Sequence, residues 1–364
     1  MLSAVLFCGM PAAASEANED VDTARYESPE RSAGGLDTLR GSFEEGGTWS
    51  LLTENLRWAV DIAGRVNASE NSGYTNQEFF GIDLLKTVST EKRDIGTLSV
   101  QLYADFHSDP PPIRKSWDFK VRMLNFNYFV SPQGGLNLRI GHMLIPYGLN
   151  IPSETNGTLR QFGTPATIGH KVDWGTAVNG TLSNFVYEVA LSRGSGLDYD
   201  SRGKPYLVSG RIGTPVERPL VLGASGLHGK VYKNGEFTER TRIGIDSRWQ
   251  GGPIDALAEV SIGRDDELAG ALKVAQSKTD FVSAFLDLSW RSPSEALLLY
   301  AQGNLTMNRL TAGSGIPWTK ESYLRIGSQL ALARHYWISA EYRHELTSTG
   351  KPDLVRIQLR YRFF

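Results

Sequence analysis

Apolar and polar side chains alternate along most of this chain, and the closing stretch shows the pattern most plainly. From Asp353 to Phe364, Val355, Ile357, Leu359, Tyr361 and Phe363 fall on one face, while Arg356, Gln358, Arg360 and Arg362 fall on the other. A period of two is that of a β-strand. A last strand with one greasy and one basic face is an aggregation-prone edge unless it pairs on both sides. Closing the sheet on itself removes that edge, turning the apolar face to lipid and the Arg face to a wet lumen. Sixteen such segments can be counted, at 57–66, 79–87, 97–106, 117–130, 136–143, 174–182, 185–193, 206–212, 220–232, 240–250, 254–264, 280–290, 296–306, 323–332, 336–346 and the closing strand. The predicted fold is all-β: a transmembrane antiparallel β-barrel over residues 56–364. In the third segment Leu98, Val100, Leu102, Ala104 and Phe106 alternate with Thr97, Ser99, Gln101, Tyr103 and Asp105. Segment 117–130 changes phase near Met123, which predicts a β-bulge.

The connections alternate between longer stretches, such as Asp265 to Lys278, and tight turns, such as Ser183-Asn184 and Gly251-Gly252-Pro253. That asymmetry is expected when one end of a barrel faces outward and the other faces the periplasm. The third outer connection, residues 144–173, is far longer than the rest. It contains three prolines, has no period, and carries turn signals at Tyr147-Gly148, Asn156-Gly157 and Gly163-Thr164-Pro165. A loop of that length in a compact domain is usually functional. Two placements stay open: folded into the lumen, where it narrows the passage, or lying outside as a cover or oligomer contact.

Composition agrees with a barrel. Apolar residues make up 40% of 364 and no run of about 18 of them occurs, so no helix spans a bilayer. Mean hydropathy is -0.27, as expected when only every second residue meets lipid. Aromatics at 10% suit girdles at the two membrane interfaces, and 38 Gly suit a sheet that turns often. A large soluble β-sandwich or β-helix shares the alternation and is the competing architecture. The net charge of -2 argues against a nucleic-acid partner. Residues 1–14 resemble the apolar and small-residue parts of a signal peptide without its basic start, which points to an N-terminally truncated leader. Residues 15–55 are acidic and aperiodic and are expected to form a mostly disordered periplasmic lead-in. Cys8, the only cysteine, lies in the leader, so a mature chain has neither a disulfide nor a thiolate metal site.

The run LRIGHMLIPYGLN, Leu138 to Asn150, followed by KVDWGTAVNG, Lys171 to Gly180, and the terminal YRFF resemble bacterial outer-membrane porins of the phosphate-selective porin O and P type. In that group a strand ending in Arg-x-Gly leads into a Pro-aromatic-Gly turn, and an Asp-aromatic-Gly segment opens the next strand. The resemblance implies a sixteen-stranded, trimeric, passive channel in the outer membrane of a bacterial cell. Its surroundings would be outer-membrane lipid and lipopolysaccharide. It would not be an enzyme.

Such a channel is selective through the charges that line it. The alternation turns Lys120, Arg122, Arg139, Arg325, Arg356 and Arg360 inward, and Arg160 joins them if the long loop enters the lumen. Arg residues concentrate on the fourteenth to sixteenth strands and the first, neighbours once the barrel closes. Asp255, Glu259 and Asp287 on the eleventh and twelfth strands are expected to form an acidic wall facing them. The expected function is passive diffusion of small hydrophilic, preferably anionic, solutes. Each Arg could instead serve a structural ion pair, as Arg343 could with Glu341 or Glu345.

Other chemistry finds little support in the chain. The six His show no catalytic or metal-ligand spacing and read as scattered surface residues, and no Gly-rich phosphate loop or haem-attachment motif occurs. No cofactor and no metal are therefore expected. A sheath around a separate cytochrome and a non-conducting structural barrel remain as alternatives.

Overall fold

The computed structural model describes residues 55–70, 73–108, 116–150, 158–162, 165–197, 203–233, 236–269, 274–311, 317–347 and 353–363. The leader and nearly all of the acidic lead-in fall outside these residues. Sixteen strands form: β1 (Leu56–Ser69), β2 (Gly73–Ser89), β3 (Asp94–Ser108), β4 (Ser116–Phe129), β5 (Asn137–Leu144), β6 (Val172–Leu182), β7 (Phe185–Ser192) and β8 (Tyr206–Gly213). They continue as β9 (Leu220–Lys233), β10 (Glu236–Gly251), β11 (Ile254–Ala269), β12 (Val274–Arg291), β13 (Leu297–Leu310), β14 (Thr319–Ala333), β15 (Tyr336–Glu345) and β16 (Leu354–Phe363). One helical turn, α1 (Pro165–Ile168), lies in the long third loop, hereafter L3. Each strand pairs antiparallel with the next, and β1 closes the sheet against β16.

The closing register runs from Val60 opposite Phe363 to Ser69 opposite Leu354. Phase counted back from Phe363 is therefore the phase of the seam. Phe363 packs beside Trp58 with ring centroids 5.3 Å apart. The barrel is inverted relative to a soluble sandwich. Ile62, Leu102, Ile140, Val189, Ile245, Leu286, Ile326 and Ile357 are exposed on the outside, while Gln101, Asp105, Asp246, Asp287 and Gln302 are buried on the inside. Exposing one such aliphatic side chain to water forfeits about 1.5–3 kcal/mol. A continuous belt of them is the surface of a barrel that crosses a lipid bilayer, its backbone groups satisfied by closure.

The expected bulge in β4 is present. Gln101 pairs with Met123 and Leu102 with Val121, leaving Arg122 as the extra residue. Beside it, Gly141 has φ 128°, and a Cβ there would meet the Leu124 carbonyl oxygen at 2.2 Å. Only glycine permits β4 and β5 to approach so closely.

Several strands run past the ends of their apolar alternation, furthest on the outer side. β12 begins at Val274 rather than 280, β11 ends at Ala269 rather than 264, and β2 begins at Gly73 rather than 79. The stretch Asp265 to Lys278 is thus mostly hairpin and not loop. Beyond the lipid the backbone ladder continues, but water accepts either face, so the side-chain period fades before the hydrogen bonds do.

Candidate functional site: the lumen and its inward loop

L3 folds into the lumen and lies along the inner wall of β8 to β13. Ile145, Tyr147 and Ile168 pack with Leu207, Leu227 and Val231, and Leu149 packs with Leu257, Phe285 and the partly buried Phe162. Polar bonds fix the same path. The Tyr147 hydroxyl donates to Ser261 Oγ at 3.0 Å, Gly148 N–H to Ser225 Oγ at 2.9 Å, and Leu149 N–H to Glu259 Oε2 at 2.7 Å. Further along, Arg160 forms a bidentate pair with Asp287, its Nε 3.0 Å from Oδ2, and also reaches Ser289 Oγ at 3.0 Å. Gln302 Nε2 donates to the Gln161 carbonyl at 2.9 Å. An aperiodic loop can lie inside the barrel because inward serines, amides and carboxylates meet its backbone.

This placement corrects the expected acidic wall. One strand separates β12 from β14 and two separate β11 from it, so Asp287, Glu259 and Asp255 stand beside the Arg-rich sector and not across from it. Nor are they open: L3 covers Glu259 and Asp287, which are 6% and 0% exposed, and Asp255 is paired with Arg248 at 3.2 Å. Arg160 is correspondingly clamped against its acid, with its guanidinium 4.8 Å from the Phe162 ring centroid.

Among the other expected lining cations, several are held in ion pairs. Arg360 binds Asp61, which also accepts from Arg362 at 2.8 Å. Arg139 binds Glu188 at 2.7 Å, and Lys120 sits between Asp105 at 3.2 Å and Asp118 at 2.6 Å. Arg122 is buried at the bulge. Such pairs brace neighbouring strands and leave little net charge.

The sector β14, β15, β16 and β1 differs. Its inward faces carry Arg57, Arg65, Arg325, Arg343, Arg356, Arg360 and Arg362 against Asp61, Glu321, Glu341 and Glu345, a surplus of cations. Arg325 and Arg343 stand directly opposite each other across the β14–β15 ladder. Neither has a carboxylate within ion-pairing distance among the described residues; both lie near the Tyr323 ring, at 4.7 and 5.9 Å. Arg356 binds Glu341 at 3.3 Å, and Glu341 also accepts from the Tyr300 hydroxyl at 3.0 Å. Arg65 is held by amide oxygens, Gln358 at 2.9 Å and Gln77 at 3.0 Å. Phase alone turns Arg65 and Arg343 inward with the other arginines, but only the cross-strand register shows that glutamines oppose Arg65 and that Arg325 opposes Arg343.

On the other side of L3, a chamber of about 620 Å³ opens beside the inner turns, lined by Asn127, Asn137, Asn179, Arg211 and Asp246 among others. Arg211 pairs there with Asp246 at 2.5 Å, and the three Asn form a hydrogen-bonded ladder. The histidines are not all at the surface: His142 is 1% exposed and lies 5.0 Å from the Trp174 ring centroid.

Tyr147 offers a direct check on L3. Burial pushes its phenol up to about 12 from an ordinary value near 10. The neutral form is favoured when L3 is docked, so this contribution is complete below pH 10 and is lost as pH rises toward 12. Subtracting the ultraviolet titration of Tyr147→Phe from that of the wild type should leave one phenolate that appears near pH 12. A difference curve centred at 10 would mean that the loop is not docked.

No family model and no curated protein matches the chain. Solved structures do. OmpT of Vibrio cholerae, in a trimer form, aligns with 12% identity and TM-score 0.61 over 85% of this chain and 99% of that one. The chain has the porin fold. An anion-selective porin from Comamonas acidovorans aligns with 12% identity and TM-score 0.59, over 85% and 99%. The outer membrane channel DcaP of Acinetobacter baumannii gives 12% and 0.57, over 85% and 97%.

Proposed function

We propose that this porin-fold chain is a bacterial outer-membrane channel for passive diffusion of small hydrophilic solutes, with a preference for anions. The observation that carries the reading is the one-sided charge of the lumen. L3 covers Glu259 and Asp287 and pairs Asp287 with Arg160, whereas among the described residues Arg325 and Arg343 have no acid within ion-pairing distance, in a sector that holds a surplus of arginines. A solute passing between L3 and that sector meets net positive charge. The fold-level likeness to an anion-selective porin supports the same sign, and the likeness to a trimeric barrel supports a homotrimer embedded in outer-membrane lipid and lipopolysaccharide. The resemblance to the phosphate-selective porin type makes inorganic phosphate the first anion to try. A lumen occupied by L3 disfavours a sheath threaded by a cytochrome. In planar bilayers under a KCl gradient, the reversal potential should carry the sign of chloride preference. A potassium-preferring potential would overturn the anionic reading, and absence of conductance would overturn the channel.

A further inference from the structure

The chamber beside the inner turns is built differently from the sector that carries the surplus of arginines. Three guanidinium groups line it, and each is fixed to a carboxylate: Arg139 to Glu188 at 2.7 Å, Arg211 to Asp246 at 2.5 Å and Arg248 to Asp255 at 3.2 Å. The exposed Glu217, in the turn between β8 and β9, adds one more acid. The chamber therefore has no positive surplus, and anions are not drawn into it. Its ion pairs are still within reach of a solute, because the three Arg side chains are 25%, 22% and 23% exposed. Register sets the amide ladder against the first pair: Asn127 is opposite Arg139, and Asn179 is opposite both Asn137 and Glu188. Asn137 Nδ2 donates to Asn179 Oδ1 at 3.2 Å, and Asn179 Nδ2 donates to Asn127 Oδ1 at 2.9 Å. A carboxamide has two N–H donors and two acceptor lone pairs, so the ladder takes one of each from Asn179 and leaves one of each. Donors and acceptors thus alternate at close spacing from β4 to β8, while Pro146, Leu149, Val186 and Leu257 supply apolar lining.

The group that suits such a wall is a hydroxyl. It donates and accepts at once, and being uncharged it leaves each Arg with its acid. A solute with hydroxyls along its edge and C–H groups on its faces uses the polar and the apolar lining together, without burying an unpaired polar group. The volume of about 620 Å³ lies within the range of about 300–1,000 Å³ usual for small-molecule sites. We infer that this chamber is a saturable binding site for a neutral polyhydroxylated solute, a sugar of one or two rings, seated against the amide ladder and the underside of L3. The inference rests on the channel reading for the solute's route, and it adds a solute class that the arginine sector does not select.

Saturation-transfer difference NMR of the full chain, folded in detergent, reads solute contact whether or not the barrel conducts. The probe is sucrose, with tetraethylene glycol as a control that has few hydroxyls, and each sample is also tested for conductance in bilayers. Wild type should give a sucrose signal that saturates, with an affinity about tenfold above that for tetraethylene glycol. Asn137→Leu with Asn179→Leu should weaken sucrose binding about tenfold, and so should Val186→Trp, which fills the chamber without touching the ladder. Arg325→Gln with Arg343→Gln should keep the wild-type sucrose signal. Conductance shows which variants have folded, and wild-type sucrose binding in either folded chamber variant would overturn the inference. So would displacement of sucrose by an equal concentration of glycine or inorganic phosphate, which would mark a site for zwitterions or anions. A conducting wild type with no saturable sucrose signal counts against the site alone. A wild type that binds sucrose without conducting counts against the channel and not against the site.

Discussion

Replacing Arg160 by alanine should make the channel noisier and more conductive, and should shift its reversal potential toward cations. Arg160 is the residue of L3 that reaches furthest round the wall, pairing with Asp287 and Ser289 on β12 while Gln302 on β13 holds the adjoining carbonyl. Asp287 is fully buried, so removing its partner leaves a desolvated carboxylate, which costs about 3–5 kcal/mol in comparable sites. Detaching this part of L3 and letting water reach Asp287 relieves that cost. Even about 3 kcal/mol changes the ratio of detached to docked loop by roughly a hundredfold. The first half of L3 should stay in place, because Tyr147, Gly148 and Leu149 keep their own bonds to Ser261, Ser225 and Glu259. The expected record is therefore a fluctuating open level and not a uniformly wide pore. Removing the acid as well tests the cause. Arg160→Ala with Asp287→Leu leaves no buried charge, and it should return the current to a quiet level, closer to wild type than either single variant. If Arg160→Ala alone is as quiet and as selective as wild type, the pair does not hold the loop.

The barrel was legible in the sequence because lipid outside and water inside write themselves into alternate residues. Leu98, Val100 and Leu102 against Ser99, Gln101 and Tyr103 needed no tertiary knowledge, and even the bulge at Arg122 showed as a slip of phase. Strand ends were less legible where the belt stops before the ladder, as at Val274 and Ala269. L3 shows a deeper limit. Its destination depends on Ser225, Glu259, Ser261 and Asp287, inward residues scattered over three strands, each an ordinary polar lining residue when read alone. The acidic wall was misplaced for the same reason: counting strands gives neighbours, but only the folded loop shows which acids it conceals. Ion pairing was also hidden, since Arg360 with Asp61 and Arg139 with Glu188 join residues 299 and 49 positions apart. The residues that matter most to the charge of the passage, Arg325 and Arg343, differ from the paired arginines only in what stands opposite them.

That difference supplies the sharper test, because Arg325→Gln with Arg343→Gln should cut anion preference without weakening the barrel. Like charges directly opposed on a ladder destabilise it, so their loss should leave thermal stability equal to wild type or a few tenths of a kcal/mol higher. The effect on selectivity follows from Coulomb's law. Taking about 8 Å to a passing ion and a water-like dielectric, each charge contributes about 0.5 kcal/mol, which screening reduces to about 0.2 at 0.15 M salt and about 0.4 at 0.01 M. Each lost charge acts twice on the permeability ratio, removing attraction for anions and repulsion of cations. The double variant should therefore reduce the anion-to-cation ratio about fourfold at 0.15 M and about fifteenfold at 0.01 M. Arg360→Gln with Asp61→Asn is the matched control: it removes a paired cation and acid together, so it should cost stability and leave the ratio where it was. A reversal potential that moves with the paired residues and stays fixed when Arg325 and Arg343 are lost would mean that selectivity is set elsewhere in the lumen. A shift that fails to grow as salt is lowered would mean that it is not set by charge.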